Sequence, residues 1–161
     1  MGHQHTTWTD VFTDTVRTAG QVIGARVYRT SDQSIPNGTN TIITYNAENF
    51  DTDALHDLIS FPSRLTCTVA GEYLITTQAR FAGNSAGFRY VTPLLNGSIE
   101  LAIMRVPPAS GVDTDISCST IYRLQVGDYI ETRVYQNSGG ALNVIGAANF
   151  SPHLAMVRLR S

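Results

Sequence analysis

Glu72-Tyr73-Leu74-Ile75-Thr76-Thr77-Gln78-Ala79-Arg80-Phe81 decides the fold class. Tyr73, Ile75, Thr77, Ala79 and Phe81 recur at every second position, with Thr76, Gln78 and Arg80 between them. An extended chain points successive side chains to opposite faces, so a period of two marks a strand with one buried and one wet face. Working outward, the pattern repeats. Ile116 to Val126 puts Cys118, Thr120, Tyr122, Leu124 and Val126 on one side, and Tyr129 to Gln136 sets Ile130, Thr132 and Val134 against Tyr129, Glu131, Arg133 and Tyr135. Phe88 to Leu95 and Ser98 to Val106 flank Asn96-Gly97, the dipeptide that most favours a two-residue hairpin turn. Ala25 to Thr30, Asn40 to Tyr45, Arg64 to Val69, Leu142 to Ile145 and Leu154 to Arg160 complete the strands, while residues 46–63 read as irregular. Roughly nine or ten short strands with turns every 8–12 residues, and no long helical period, make an all-β sandwich or barrel.

Composition narrows the function classes. A chain of 161 residues and 17.5 kDa fits one domain with a real core. No apolar run reaches the roughly 18 residues of a membrane helix, and the first twenty residues read as neither leader nor signal, so no membrane partner is expected. Charged residues make up 15%, against about 25% in an average soluble domain. Nineteen threonines, with Asn, Ser and Gly, supply the polarity instead. A surface wetted by hydroxyls and amides can pack against copies of itself without burying unpaired charge. The net charge of −2 offers no handle for nucleic acid. Cys67 and Cys118 sit singly inside strand-like runs and read as buried thiols; pairing them would require Cα atoms within about 7 Å.

Catalytic and metal motifs are missing or incomplete. The chain has no Ser-His-Asp order, phosphate loop, His-Glu-x-x-His or Cys-x-x-Cys, and His56 and His153 are lone histidines, so no enzyme and no cofactor are expected. Asp51, Asp53 and Asp57 lack the glycine and closing glutamate of an EF-hand. No metal is expected. His3-Gln4-His5 is the one His-x-His, which three copies around an axis would turn into six imidazoles suited to a transition metal.

Phe61 to Ile75, Leu94-Leu95-Asn96-Gly97 and Ile121 to Tyr135 follow one another in an order, closed by Phe150 to Leu159, that resembles the C1q/TNF-like family in its bacterial and phage form. The resemblance covers about residues 25–161, and Ala25 to Arg29 and Phe50 to Asp57 carry the phage-like character; no collagen-like stalk precedes it. It implies an antiparallel jelly-roll β-sandwich over 25–161, preceded by a short N-terminal arm, residues 1–24.

It also implies a homotrimer. Tyr129, Arg133 and Tyr135 on the exposed face of their strand are the candidate trimer contacts, with Phe88 and Tyr90 as further possibilities, aromatic and Arg side chains being the usual anchors of interfaces. In the jelly roll, loops 82–87, 107–115 and 137–141 fall at the end away from both termini. Asn84, Ser85, Asp113, Asp115 and Asn137 are their candidate contact residues, and Asp113 and Asp115 would be the calcium ligands if the axis held that ion, as in some relatives. Trp8, Val11, Phe12 and Val16 form an apolar stripe on the arm, read as the anchor to other virion structural proteins. The expected role is a non-enzymatic structural protein on a bacteriophage virion surface, a capsid decoration trimer or small tail component. The alternative is an adhesin head whose distal loops bind a host surface receptor or glycan.

Overall fold

The computed structural model describes residues 22–108 and 111–161. Trp8, Val11, Phe12, Val16, His3 and His5 lie outside them. The chain forms β1 Gly24–Tyr28, β2 Gln33–Ile35, β3 Thr41–Ile42, β4 Ala47–Asp51, β5 His56–Asp57, β6 Phe61–Thr66 and β7 Gly71–Phe81. It continues with β8 Arg89–Leu95, β9 Ile99–Glu100, β10 Met104–Val106, β11 Thr114–Leu124, β12 Tyr129–Gln136, β13 Leu142–Val144 and β14 His153–Arg160. The first sheet runs β2-β13-β7-β14-β1-β4, with β11 on the other side of β7; the second runs β10-β8-β12-β6-β5, with β3 on β12 and β9 on β8. All strand pairs are antiparallel. The fold is all-β: two antiparallel sheets closed face to face as a jelly roll.

Alternation assigns the faces. Tyr73, Ile75, Thr77, Ala79 and Phe81 of β7 are all buried, as are Ile130, Thr132 and Val134 of β12. They meet Val27, Leu65, Val91, Ile116, Leu124, Leu154 and Met156 in a single core. Cys67 and Cys118 lie in that core as free thiols, and burial pushes both pKa values up. The core holds one polar clasp. Tyr45 Oη donates to Thr132 Oγ1 at 2.6 Å, and Thr132 Oγ1 bonds Thr77 Oγ1 across the sheets at 2.6 Å. The three hydroxyls of this clasp are thereby all partnered.

Loops sort into two poles. Asn96 and Gly97 both adopt positive φ (51° and 72°), the two-residue turn their sequence favours. Asn96 Nδ2 bonds Asp128 Oδ1 at 2.9 Å and Gly127 N bonds Cys67 O, so the 96–97 and 127–128 turns share the basal pole. β1 begins and β14 ends at that pole, Gly24 pairing with Val157. Loops 82–88 and 137–141 lie at the opposite, distal pole, where Phe88 N bonds Asn137 Oδ1 at 2.7 Å.

Four sequence-based readings need correction. Residues 46–63 are not irregular: they carry β4, β5 and the start of β6, stabilised as a lateral excursion by Asp51, whose carboxylate accepts from the N–H groups of Asp53, Leu55 and His56. The strand expected over Asn40 to Tyr45 is only Thr41–Ile42; beyond it Ile43 and Tyr45 hydrogen-bond to Thr132 and Pro62 outside any regular ladder. Ser98 to Val106 is not one strand, because Leu101 and Ala102 turn in against the core and part β9 from β10. Finally, Tyr122 and Val126 do not join the buried side of β11: they are 40% and 67% exposed, because only the short β9 and β10 edge the opposing sheet there.

Thr132→Val keeps the side-chain shape but leaves the Tyr45 hydroxyl without its acceptor. The expected cost is about 1–3 kcal/mol, read as a lower midpoint in urea unfolding at unchanged m-value; an unchanged midpoint would remove the clasp from the account.

Candidate interaction surfaces

At the distal pole, two buried side chains tie the loops from below. Gln136 Nε2 donates to Ile35 O and Gly140 O at 2.9 and 2.8 Å, and its Oε1 accepts from Ser138 N. Arg89, wholly buried, donates through Nη1 to Ala86 O at 2.6 Å and through Nη2 to Asn84 O at 3.0 Å. Asn84, Ser85 and Asn137 are thereby brought together, and Asp113 joins them by accepting from Gly83 N. Asp115 sits lower, on β11, ion-paired with Arg80 at 2.8 Å. Sequence reading missed Arg89 and Gln136. Their signal was parity: each falls on the inward side of its strand, two residues from Val91 and Val134.

The outward face of the second sheet carries two aromatic clusters. Phe88, Tyr135 and Tyr90 stack in series at 5.4 and 5.1 Å, with the Arg105 guanidinium 4.7 Å from the Phe88 ring. Tyr90 Oη also reaches Asn40. Toward the base, Arg64 lies between the rings of Phe61 and Tyr129, at 3.6 and 4.4 Å, and Arg133 pairs with Glu100. The structure thus splits the five sequence-selected residues: Phe88, Tyr90 and Tyr135 form one group, and Tyr129 and Arg133 stand apart from it.

The outward face of the first sheet, which sequence patterning did not point to, carries an apolar row. Cross-strand register aligns Ile121 with Leu74, Leu74 with Val157, and Val157 with Gly24. Ile121 is 59% and Leu74 37% exposed. The next row is Ser119, Thr76 and Ala155, and the next is Ser117, Gln78 and His153. Arg80–Asp115 closes this band toward the distal pole and Glu72–Arg160, 2.7 Å apart, toward the base. Across β11, β7 and β14 the arrangement is an apolar and small-polar centre inside a charged rim, the anatomy of a protein interface. Outside this band, Tyr122 of β11, Met104 of β10 and Ile103 before it are also exposed.

The acidic and imidazole groups are used locally. The Asp57 carboxylate accepts from Ile59 N and Ser60 N, which lowers its pKa, and Asp53 accepts from Thr68. His56 is buried with Nδ1 2.8 Å from Glu48 Oε1. Among the described residues no three His, Cys, Asp or Glu side chains are grouped to hold a metal ion.

Neither a protein-family model nor a curated protein sequence matches the chain. Solved structures do. Murine APRIL at pH 5.0 matches with a TM-score of 0.63 at 13% identity, over 86% of this chain and all of that one. The Eiger TNF of S. frugiperda matches with a TM-score of 0.61 at 13% identity, over 87% of this chain and 94% of that one. Likeness at such identity is a likeness of fold, and the fold is a TNF-like jelly roll.

His153 supplies a pH dependence. Burial lowers its pKa, and the neighbouring Arg26 lowers it further, against the opposing bond from Nδ1 to Phe150 O. The unfolded chain therefore takes up its proton first as pH falls below about 6.5, and folding stability is lost on acidification through that range. Urea midpoints measured from about pH 7 to about pH 5 should fall, and His153→Gln should flatten that fall; identical profiles would exclude this histidine as a source.

Proposed function

We propose that the protein is a non-enzymatic homotrimer serving as a structural component on the surface of a bacteriophage particle, a capsid decoration or small tail protein. The observation that carries the assembly is the uncharged band of Ile121, Leu74, Val157, Thr76 and Ala155, framed by ion pairs. Its occupant is a second copy. Ile103, Met104 and Tyr122 are exposed apolar and aromatic positions outside that band, and a contact between two unlike surfaces closes into a ring when repeated by rotation. The low charge of the whole chain favours the same contact, since few unpaired charges would be buried. Tyr129, Arg133, Tyr135, Phe88 and Tyr90 form the alternative trimer face.

The virion role rests on the phage-like sequence of Ala25 to Arg29 and Phe50 to Asp57 and on the apolar stripe Trp8, Val11, Phe12 and Val16 preceding the sandwich. In this reading the arm grips the particle, and the described chain enters the fold at the basal pole, leaving the distal loops outward. The tying of those loops by Arg89 and Gln136 favours a second reading, an adhesin head, because a preformed loop surface loses little entropy on binding.

Light scattering should give three times 17.5 kDa; a monomer at all concentrations would sink the assembly. Leu74→Arg should yield folded monomer while Tyr135→Arg stays trimeric, and the reverse result moves the contact to the second sheet. Labelled protein should decorate assembled particles and lose that ability on deletion of residues 1–21. Binding to cells or glycan arrays in place of particles would establish the adhesin reading.

A further inference from the structure

A strand at the edge of a sheet carries backbone donors and acceptors with nothing to bond, and natural folds keep such edges short, bulged, or broken by Lys and Pro. The strands that end the two sheets elsewhere follow this rule. β2, β4, β5 and β10 have two to five residues, and the pairing of β4 with β1 is irregular. β11 does not follow it. It ends the first sheet beyond β7 with eleven residues in unbroken register, Thr114–Leu124, and contains no Pro, Lys or Gly.

The open side of β11 follows residue by residue from the pairing. On β7, Arg80 N donates to Ser151 Oγ and Arg80 O accepts from Ile145 N, so the even-numbered residues of β7 turn their peptide groups toward β14 and β13. The odd-numbered ones therefore turn theirs toward β11, and the register sets them opposite even-numbered residues there. That leaves Asp115, Ser117, Ser119, Ile121 and Arg123 with N–H and C=O aimed away from the sheet. Among the described residues, no strand, turn or side chain bonds these groups.

The edge holds two charges, one near each end, and they are of opposite sign. Laid antiparallel over its full length against a second β11, Thr114 falls opposite Leu124 and Ser119 lies on the two-fold axis, opposite itself. Every outward-aimed peptide group then meets another, as an antiparallel ladder requires. In this register Asp115 faces Arg123 of the second copy, and Arg123 faces its Asp115. Arg123 has no ion-pair partner among the described residues, the neighbouring Glu72 being held by Arg160, while Asp115 keeps its pair with Arg80. A parallel arrangement would set like charges opposite. The exposed Tyr122 falls across from Ile116 of the second copy, at a pair where side chains come close.

We propose that β11 is a self-pairing edge, along which two copies of the chain join antiparallel, centred on Ser119, into one sheet continuous across both subunits. The contact is made by backbone in the plane of the sheet, whereas the trimer reading rests on the outward band, so the two stand or fall separately. One strand from each subunit makes an interface below standard size, and the pair therefore forms at high protein concentration.

The test is disulfide trapping in the full-length chain, whose own two cysteines are buried. Ser119→Cys sets two thiols across the axis with Cα atoms about 5.5 Å apart, within the span of a disulfide. Oxidised at high concentration, it should run as a dimer on a non-reducing gel. Ser117→Cys and Ile121→Cys should each stay single, being out of register with themselves, yet a mixture of the two should give the dimer. Adding Arg123→Glu to Ser119→Cys should lower the dimer fraction about tenfold, whereas Arg123→Lys should leave it in place. Ser117→Pro removes an amide that β7 does not use, so with Ser119→Cys it should keep the circular dichroism of the fold and lose the dimer. A Ser119→Cys chain that labels fully with a maleimide but never dimerises overturns the proposal. A dimer that survives Ser117→Pro, or one that Ser117→Cys forms alone, overturns it as well, since neither can come from this ladder.

Discussion

β7 is hydrogen-bonded along both edges, to β11 over its whole length and to β14 and β13 on the other side. That double pairing is the constraint from which the remainder follows. It locks the register of the strand's side chains, sending Tyr73, Ile75, Thr77, Ala79 and Phe81 into the core and Leu74, Thr76 and Gln78 to the outer face. A slip of one residue would exchange the two sets and expose the core, so the pairing is specified by burial itself. The same strand therefore contributes both to the interior and to the centre of the proposed contact surface.

Polar groups inside the sandwich do a second job, which is placement. Apolar side chains fill space without direction, whereas a buried donor or acceptor must find a partner at a defined distance and angle. Tyr45, Thr132 and Thr77 fix one sheet against the other at mid-height. Gln136 and Arg89 extend this to the distal pole, reaching the loop carbonyls of Gly140, Ala86 and Asn84 and that of Ile35 at the end of β2. The loops are positioned by the core as well as by their own turns.

The strands with strict alternation were legible in the sequence. β7, β12 and the hairpin at Asn96-Gly97 are local patterns, set by pleat geometry and by two residues at positive φ. What could not be read was non-local. Tyr122 has the parity of a core residue, and only the shortness of β9 and β10 on the other sheet exposes it. Residues 46–63 show no alternation, since their short strands are held by Asp51 and by bonds to distant segments. On the surfaces, aromatic and Arg positions drew attention to the second sheet. The row of Ile121, Leu74 and Val157 becomes continuous only once three strands far apart in sequence lie side by side. The jelly-roll order itself came through resemblance, and the solved TNF-like folds agree with it.

The antiparallel pairing of β1 with β14 has a mechanical meaning. Hydrogen bonds in such a ladder lie across the strands, so tension between the start of β1 and the end of β14, both at the basal pole, loads the rungs singly and peels the pair apart like a zip. Pulling between the N-terminal end and the distal tip instead runs along the strands and loads all the rungs together in shear. A subunit tethered through its N-terminal side and tugged at its outer end is thus strained in its tougher direction.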